Sequence, residues 1–165
     1  MGNNTSAPER VHASFRQLSA SATNLNNASN ELRDTISTLD AALKKLNLGI
    51  SAWVKISGDV DVDGEFWSRD IGYTKIADTW GIALRDFSGN HNDPEAGYTK
   101  YEEWLFNDAP RWMRIEGVGK IADLLESLTK QADTTAERIK KKTEEAKELA
   151  AAIDAAVAET KHQRK

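Results

Sequence analysis

The first third of the chain carries a small or apolar residue at alternating spacings of four and three. The series comprises Val11, Phe15, Leu18, Ala22, Leu25, Ser29, Leu32, Ile36, Leu39, Leu43 and Leu46. This is the a and d spacing of a heptad repeat, which places one narrow apolar seam along an α-helix. It predicts a first coiled-coil helix over residues 7–48. Ser6 and Glu9 have the spacing of a capping box at its start, and Gly49 suits the position just after its end.

A second heptad seam occupies the C-terminal part of the chain. It comprises Val118, Ile121, Leu125, Leu128, Ala132, Thr135, Ile139, Lys142, Ala146, Leu149, Ile153 and Ala156. Lys142 is the charged member, and it weakens the stripe at a d position. The seam predicts a second coiled-coil helix over residues 108–162, with Asp108 as its N-cap. Gly117 and Gly119 are expected to kink or break this helix.

The two seams have nearly equal lengths, and a compact insert separates them. Two narrow apolar seams of matched length are buried most simply against each other. The sequence therefore predicts an antiparallel coiled-coil hairpin, in which Leu46 lies near Ile121 and Val11 lies near Val157. The less favoured alternative is that the two helices fold over a globular core.

The insert, residues 49–107, is rich in aromatic residues. All five Trp and all three Tyr lie between Trp53 and Trp112. Alternating segments rich in β-forming residues predict strands over residues 48–56, 70–76 and 80–87, with a fourth over 98–106. The fold class is therefore predicted to be α+β, with a small antiparallel β-meander of three or four strands between the two helices.

Residues Ser57 to Asp70 contain the pattern of a calcium loop. Its ligand positions would be Asp59, Asp61, Asp63, the carbonyl of Glu65, and Asp70, and Gly64 stands where such loops need a sharp turn. Asp replaces the usual Glu at the twelfth position, and the flanking segments read as strands. The alternative interpretation is an acidic turn between two strands, with the aspartates facing water.

Two further groups of residues are candidate protein-binding surfaces. Trp67 and Trp104 flank irregular segments and are predicted to be exposed contacts, whereas Trp53, Trp80 and Trp112 are predicted to lie in the core. Residues 17–30 carry no charge, so another helix could approach them closely. Ser21, Asn24 and Asn27 represent this face, for which the alternative is a polar face turned to water.

Composition argues against several functional classes. A net charge of −4 and a pI of about 5.4 argue against a nucleic-acid partner. There is no cysteine, so disulfides and thiolate sites are excluded. We expect no membrane span, a disordered polar leader over residues 1–6 and a cytoplasmic location.

No arrangement of catalytic groups emerges from the sequence, because the three histidines are scattered and no phosphate-binding loop is present. We therefore expect no catalytic residue and no cofactor except possible calcium. The expected function is that of a structural or interaction protein, which binds another protein or itself. A calcium-binding module is the alternative. The order helix, β unit, helix also resembles the prefoldin subunits in outline, which would imply a chaperone-like role.

Overall fold

The computed structural model describes residues 6–162, so the predicted leader lies outside the described residues except for Ser6. The fold is α+β, as predicted: three helices accompany a four-stranded antiparallel sheet. The elements are α1 (Ala7–Lys45), β1 (Ala52–Val60), β2 (Glu65–Ile76), β3 (Thr79–Asn90), β4 (Tyr98–Leu105), α2 (Arg111–Val118) and α3 (Ile121–His162). Two short 3₁₀ turns, Pro94–Ala96 and Phe106–Asp108, flank β4.

The sheet is a meander in which each strand pairs with the next, in the order β1-β2-β3-β4. β2 begins at Glu65, five residues earlier than the pattern predicts, because Phe66 pairs with Val60 on one side and with Gly89 on the other. Ala77 and Asp78 form the two-residue turn between β2 and β3, and both have positive φ. Such turns match the twist of the strands that they join.

One face of the sheet is covered by the helices, and the core lies between them. The sheet contributes Ile71, Tyr73, Ile82 and Leu84, which alternate with outward-facing residues. The helices and the segment before them contribute Ile36, Leu43, Phe106, Met113, Leu124 and Leu128. Each is at most 8% exposed. Burying a large apolar side chain of this kind stabilises the fold by about 1.5–3 kcal/mol, so these contacts hold sheet and helices together.

The second helical region is divided into α2 and α3. Gly117 is buried within α2, where an added Cβ would lie 3.0 Å from Leu84 Cδ2. It thus lets α2 pack closely on the sheet. Gly119 follows the end of α2, and α3 starts at Ile121. The N-cap predicted at Asp108 is wrong, because this residue ends a 3₁₀ turn and Pro110 precedes α2.

The coiled-coil hairpin within one chain is not confirmed. We name residues 7–28 the α1 arm and residues 136–159 the α3 arm. Every residue of the α1 arm is exposed, and so is every residue of the α3 arm except the half-buried Glu145. Phe15 and Leu18 are 69% and 64% exposed, and Leu149 and Ile153 are 67% and 64% exposed. Paired seams would be buried, so the two arms do not pack on each other.

The reason lies at the other end of each seam. Ile36 and Leu43 of α1 are buried in the core that the sheet builds, and so are Leu128 of the second seam and its neighbour Leu124. Leu39, Leu46, Val118 and Leu125 of the two seams remain 38–63% exposed. The sheet therefore takes the place of the opposite helix for some positions of this part of each seam. None of the helices within residues 6–162 combines the length and apolar composition that a bilayer span requires.

Asp40 fixes α1 to the edge of the sheet. Its Oδ1 accepts a hydrogen bond of 2.8 Å from the backbone amide of Ile82, which lies just beyond the part of β3 that pairs with β4. The same carboxylate forms an ion pair of 2.7 Å with Lys44. A strand-edge amide that would otherwise lack a backbone partner is thus satisfied by a helix side chain.

We predict that Asp40→Ala lowers the free energy of unfolding by about 1.5–3 kcal/mol, because a hydrogen bond to a charged acceptor is lost. Asp40→Asn should lose less, since its amide oxygen can accept the same bond. Lys44→Ala, which removes only the exposed ion pair, should cost less than about 1 kcal/mol. Urea unfolding of the three variants checks this, and equal losses for Asp40→Ala and Lys44→Ala would contradict it.

Candidate interaction surfaces

The acidic segment Asp61 to Gly64 forms the turn between β1 and β2. The side-chain Oδ1 of Asp61 accepts hydrogen bonds from the amides of Asp63 and Glu65, at 3.0 and 2.9 Å. Its own amide donates to the carbonyl of Glu65 at 2.9 Å. Gly64 has a φ of 81°, which glycine adopts without strain. Asp61 therefore organises a hairpin turn through backbone contacts.

The structure does not bring the five predicted calcium ligands together. Asp70 lies further along β2, and its carboxylate accepts hydrogen bonds from Arg85 at 2.6 and 2.9 Å and from Ser68 at 2.8 Å. Asp59 pairs in register with Trp67, so Asp59 and Asp70 face opposite sides of the sheet. The Glu65 carbonyl, the expected seventh-position ligand, accepts a hydrogen bond from the Asp61 amide.

The rest of the acidic segment is also held by protein groups. Asp59 Oδ1 accepts from the amide of Val60 at 2.9 Å, and the carbonyl of Asp63 accepts from Asn92 Nδ2 at 2.7 Å. Within the described part of the chain, no group of three or more acidic or histidine side chains is arranged to hold a metal ion. The geometry favours the acidic-turn interpretation.

We predict that Asp61→Ala lowers the free energy of unfolding by about 1–2 kcal/mol, because two backbone amides lose their acceptor. Asp61→Asn should lose much less, since its side-chain oxygen can accept both bonds without a charge. Urea unfolding with and without calcium checks this. If calcium stabilises the wild type but not Asp61→Ala, the calcium-loop interpretation is correct and the turn interpretation is wrong; Asn at this position of the loop can still bind calcium.

Trp67 of β2 and Trp112 of α2 form an exposed pair of aromatic side chains. The guanidinium carbon of Arg69 lies 4.7 Å from the ring centroid of Trp67 and 4.4 Å from that of Trp112. Both rings are partly open to solvent, at 39% and 43% exposure. Trp104, by contrast, is half-buried and packs against the core. The structure thus leaves Trp67 accessible, covers much of Trp104, and exposes Trp112, which the sequence pattern assigns to the core.

Charged residues lie next to this pair of indole rings and contact one another. Arg69 Nη1 lies 4.0 Å from Glu116, and Arg69 Nε lies 3.9 Å from Asp86. Lys100 Nζ lies 2.9 Å from both Asp86 and Glu102, and hydrogen bonds to these two carboxylates raise the pKa of Lys100. The charges are therefore largely paired among themselves, which leaves the indole rings as the exposed feature.

The face of the sheet opposite the helices carries a second aromatic cluster. Phe66, Phe87, Tyr98 and Tyr101 contact one another, with ring centroids 5.3 to 6.5 Å apart, and His91 stacks on Phe66 at 4.4 Å. Sequence reasoning missed this cluster, because its members come from three strands and a loop. Only the pairing register places them on one face.

Next to this cluster, Arg85 lies against two rings. Its guanidinium carbon is 4.1 Å from the ring centroid of Trp53 and 4.8 Å from that of Phe87, and Asp70 holds it from the side. Trp53 in turn covers Gly72, where a Cβ would lie 2.4 Å from the indole ring. Trp53 is thus partly buried by packing flat on the sheet, on the face away from the helical core.

Ser21, Asn24 and Asn27 are exposed on the α1 arm, as the protein-binding prediction requires. In the heptad that has Phe15 at a, Ser21 flanks the apolar seam, whereas Asn24 and Asn27 lie on the outer face. Asn26, between them, accepts a hydrogen bond of 3.2 Å from Arg111, so the arm passes the start of α2.

The α1 arm has little intrinsic stability as a helix. Residues 17–30 are dominated by Ser, Thr and Asn, which are weaker helix formers than Ala, Leu or Lys. Its first turn has a capping box, in which the Ser6 amide donates to Glu9 Oε2 at 2.8 Å; that bond lowers the pKa of Glu9. Among the described residues, no ion pair joins two side chains within residues 7–28.

The α3 arm is better supported by its own sequence. Ion pairs at i,i+3 spacing join Lys140 to Glu137, Lys142 to Glu145 and Lys147 to Glu144, at 2.5 to 2.8 Å. Residues 150–158 are mostly alanine, the best helix former. The arms therefore differ: α3 is helical by composition, whereas the α1 arm depends on packing.

Comparison of the chain with protein-family models, with curated sequences and with solved structures gave no significant match.

Proposed function

We propose that this protein is a non-enzymatic interaction protein. Its head, which is the four-stranded sheet with the parts of α1, α2 and α3 that pack on it, presents two helical arms that bind other helices as coiled coils. The observation that carries the proposal is the exposure of a heptad seam along both arms. Large apolar side chains at regular a and d positions gain stability when a second helix covers them. The coiled-coil pairing that the heptads predict is therefore assigned to contacts between molecules.

The composition of the α1 arm supports this proposal. A helix with weak intrinsic propensity and no internal ion pairs is stabilised chiefly by packing of its apolar face. No described part of the chain covers that face at Val11, Phe15 or Leu18, which are each more than 60% exposed. The uncharged residues beside the seam, including Ser21, also present no charge that would repel a partner helix.

We predict that the double variant Phe15→Asp with Leu18→Asp abolishes binding of the partner, because two charges would be buried in the seam. The matched control is Asn24→Asp with Asn27→Asp, which adds the same charge on the outer face of the same helix. The proposal assigns binding to the seam and not to these two residues, which the uncharged stretch 17–30 suggests as contacts. Full-length wild type and both variants are chemically cross-linked in the source cell, and cross-linked proteins, copies of the chain included, are identified by mass spectrometry.

A cross-linked protein that disappears with the seam variant and persists with the control is the expected result. The urea transition of the head should be unchanged in both variants, since the substituted residues lie outside the core. If the seam variant and the control retain the same cross-linked proteins, the arm does not bind through its seam and the proposal is wrong.

A further inference from the structure

We infer that the arms bind a second copy of this chain, and that the α1 arm of one copy packs antiparallel against the α3 arm of the other. The inference rests on the proposed function and names its partner. Within one chain the two arms leave each other's seams exposed, while residues at their other ends are buried on the sheet. A two-fold dimer would pair both arms of each copy at once.

The side chains of the two seams complement each other in one antiparallel register. In an antiparallel pair, an a residue of one helix faces a d residue of the other. The register that places Leu25 opposite Ala146 also produces the layers of Leu18 with Ile153 and of Ala22 with Leu149. A small residue thus faces a large one in two of these three layers, as interdigitating cores require.

The same register brings the polar residues of the two seams together. Ser29 lies opposite Lys142, whose ammonium is already held by Glu145 at 2.5 Å. A small serine leaves space for the lysine stem to extend to solvent. A shift of one heptad would instead place Lys142 against the apolar Ala22 or Ile36, so Lys142 meets a polar seam residue, the half-buried Ser29 next to the α1 arm, in this register.

The positions that flank the seams support a close approach of the two helices. On the α1 arm they include Ser14, Ser19, Ser21 and Ala28, and on the α3 arm Ala136, Thr143, Ala150 and Ala152 together with the charged Arg138, Glu145 and Glu159. The charged side chains belong to the α3 arm alone, so no like charges oppose each other there. A parallel pair of α3 arms would stack Lys142 on its own copy and leave both α1 arms uncovered.

A pair of engineered cysteines tests the arrangement in the full chain, which has no natural cysteine to interfere. In the inferred register Ser19 and Ala150 flank the same layer, so Ser19→Cys with Ala150→Cys should form disulfides between two chains under mild oxidation. The expected product is a covalent dimer on a non-reducing gel. A monomeric product with no free thiol would mean that the arms close within one chain, which overturns the inference.

The two single variants are the matched controls. Neither Ser19→Cys nor Ala150→Cys should yield a covalent dimer alone, because its own copy lies far away on the other side of the assembly. A dimer from Ser19→Cys alone would mean that α1 arms pair with each other. A dimer from Ala150→Cys alone would mean that α3 arms do so, and either result overturns the inference.

Exchanging the serine and the lysine of the polar layer tests the register independently, through the affinity of the dimer. Ser29→Lys places two lysines in one layer and should weaken the dimer at least tenfold in sedimentation, as unmatched buried charges do. Adding Lys142→Ser restores one lysine and one serine and should recover most of the affinity. Failure of this recovery would show that the two residues do not share a layer.

These experiments separate the inference from the proposed function. A chain that stays monomeric, yet cross-links to a different protein through its α1 seam, would retain the proposed function and overturn the inference. A monomeric chain that cross-links to nothing through the seam would overturn both. A dimer without the double-cysteine product would mean that copies associate through another surface.

Discussion

The packing of the helices on one face of the sheet is the interaction on which the rest of the structure depends. A four-stranded meander of this size buries too little apolar surface on its own. Tyr73, Ile71 and Leu84 become almost fully buried only because α1, α2 and α3 lie over them. This requirement places Ile36 and Leu43 of the first seam and Leu128 of the second in the core, and it leaves the distal half of each seam outside.

The division of the seams explains why the sequence predicted the helices and the meander but not the relation between the helices. A heptad pattern states that a stripe will be covered, and it does not state by what. Ile36 and Leu43 follow the pattern and pack on the sheet, whereas Phe15 and Leu18 follow it and stay exposed among residues 6–162. The pattern is identical in both halves, so only the tertiary structure separates them.

In the head, too, several residues have positions that the sequence pattern alone does not determine. The motif at Asp59 fits a calcium loop or an acidic turn, and the pairing of β1 with β2 favours the turn by sending Asp59 and Asp70 to opposite faces. The exposure of Trp112 follows from the rotation of α2, which Met113 and Gly117 set by packing on the sheet. The aromatic cluster around Phe66 depends on strand register, which short sequence segments do not encode.

The two arms have unequal intrinsic stability, and this difference gives the proposed function its physical basis. The α3 arm contains its own ion pairs and many alanines, so it can be helical before a partner binds. The α1 arm is rich in Ser, Thr and Asn and gains its stability from burial of its seam. Binding of a partner would therefore order the α1 arm more than the α3 arm, and the head would position both for the contact.

The most direct measurement of this account is hydrogen exchange of the backbone amides at low and high protein concentration. The account predicts that residues 7–28 exchange rapidly in dilute solution and become protected as concentration rises, while the strands of the head stay protected throughout. Protection of residues 7–28 that is equally strong at every concentration would mean that the arm is stable within a single chain, and it would contradict the account.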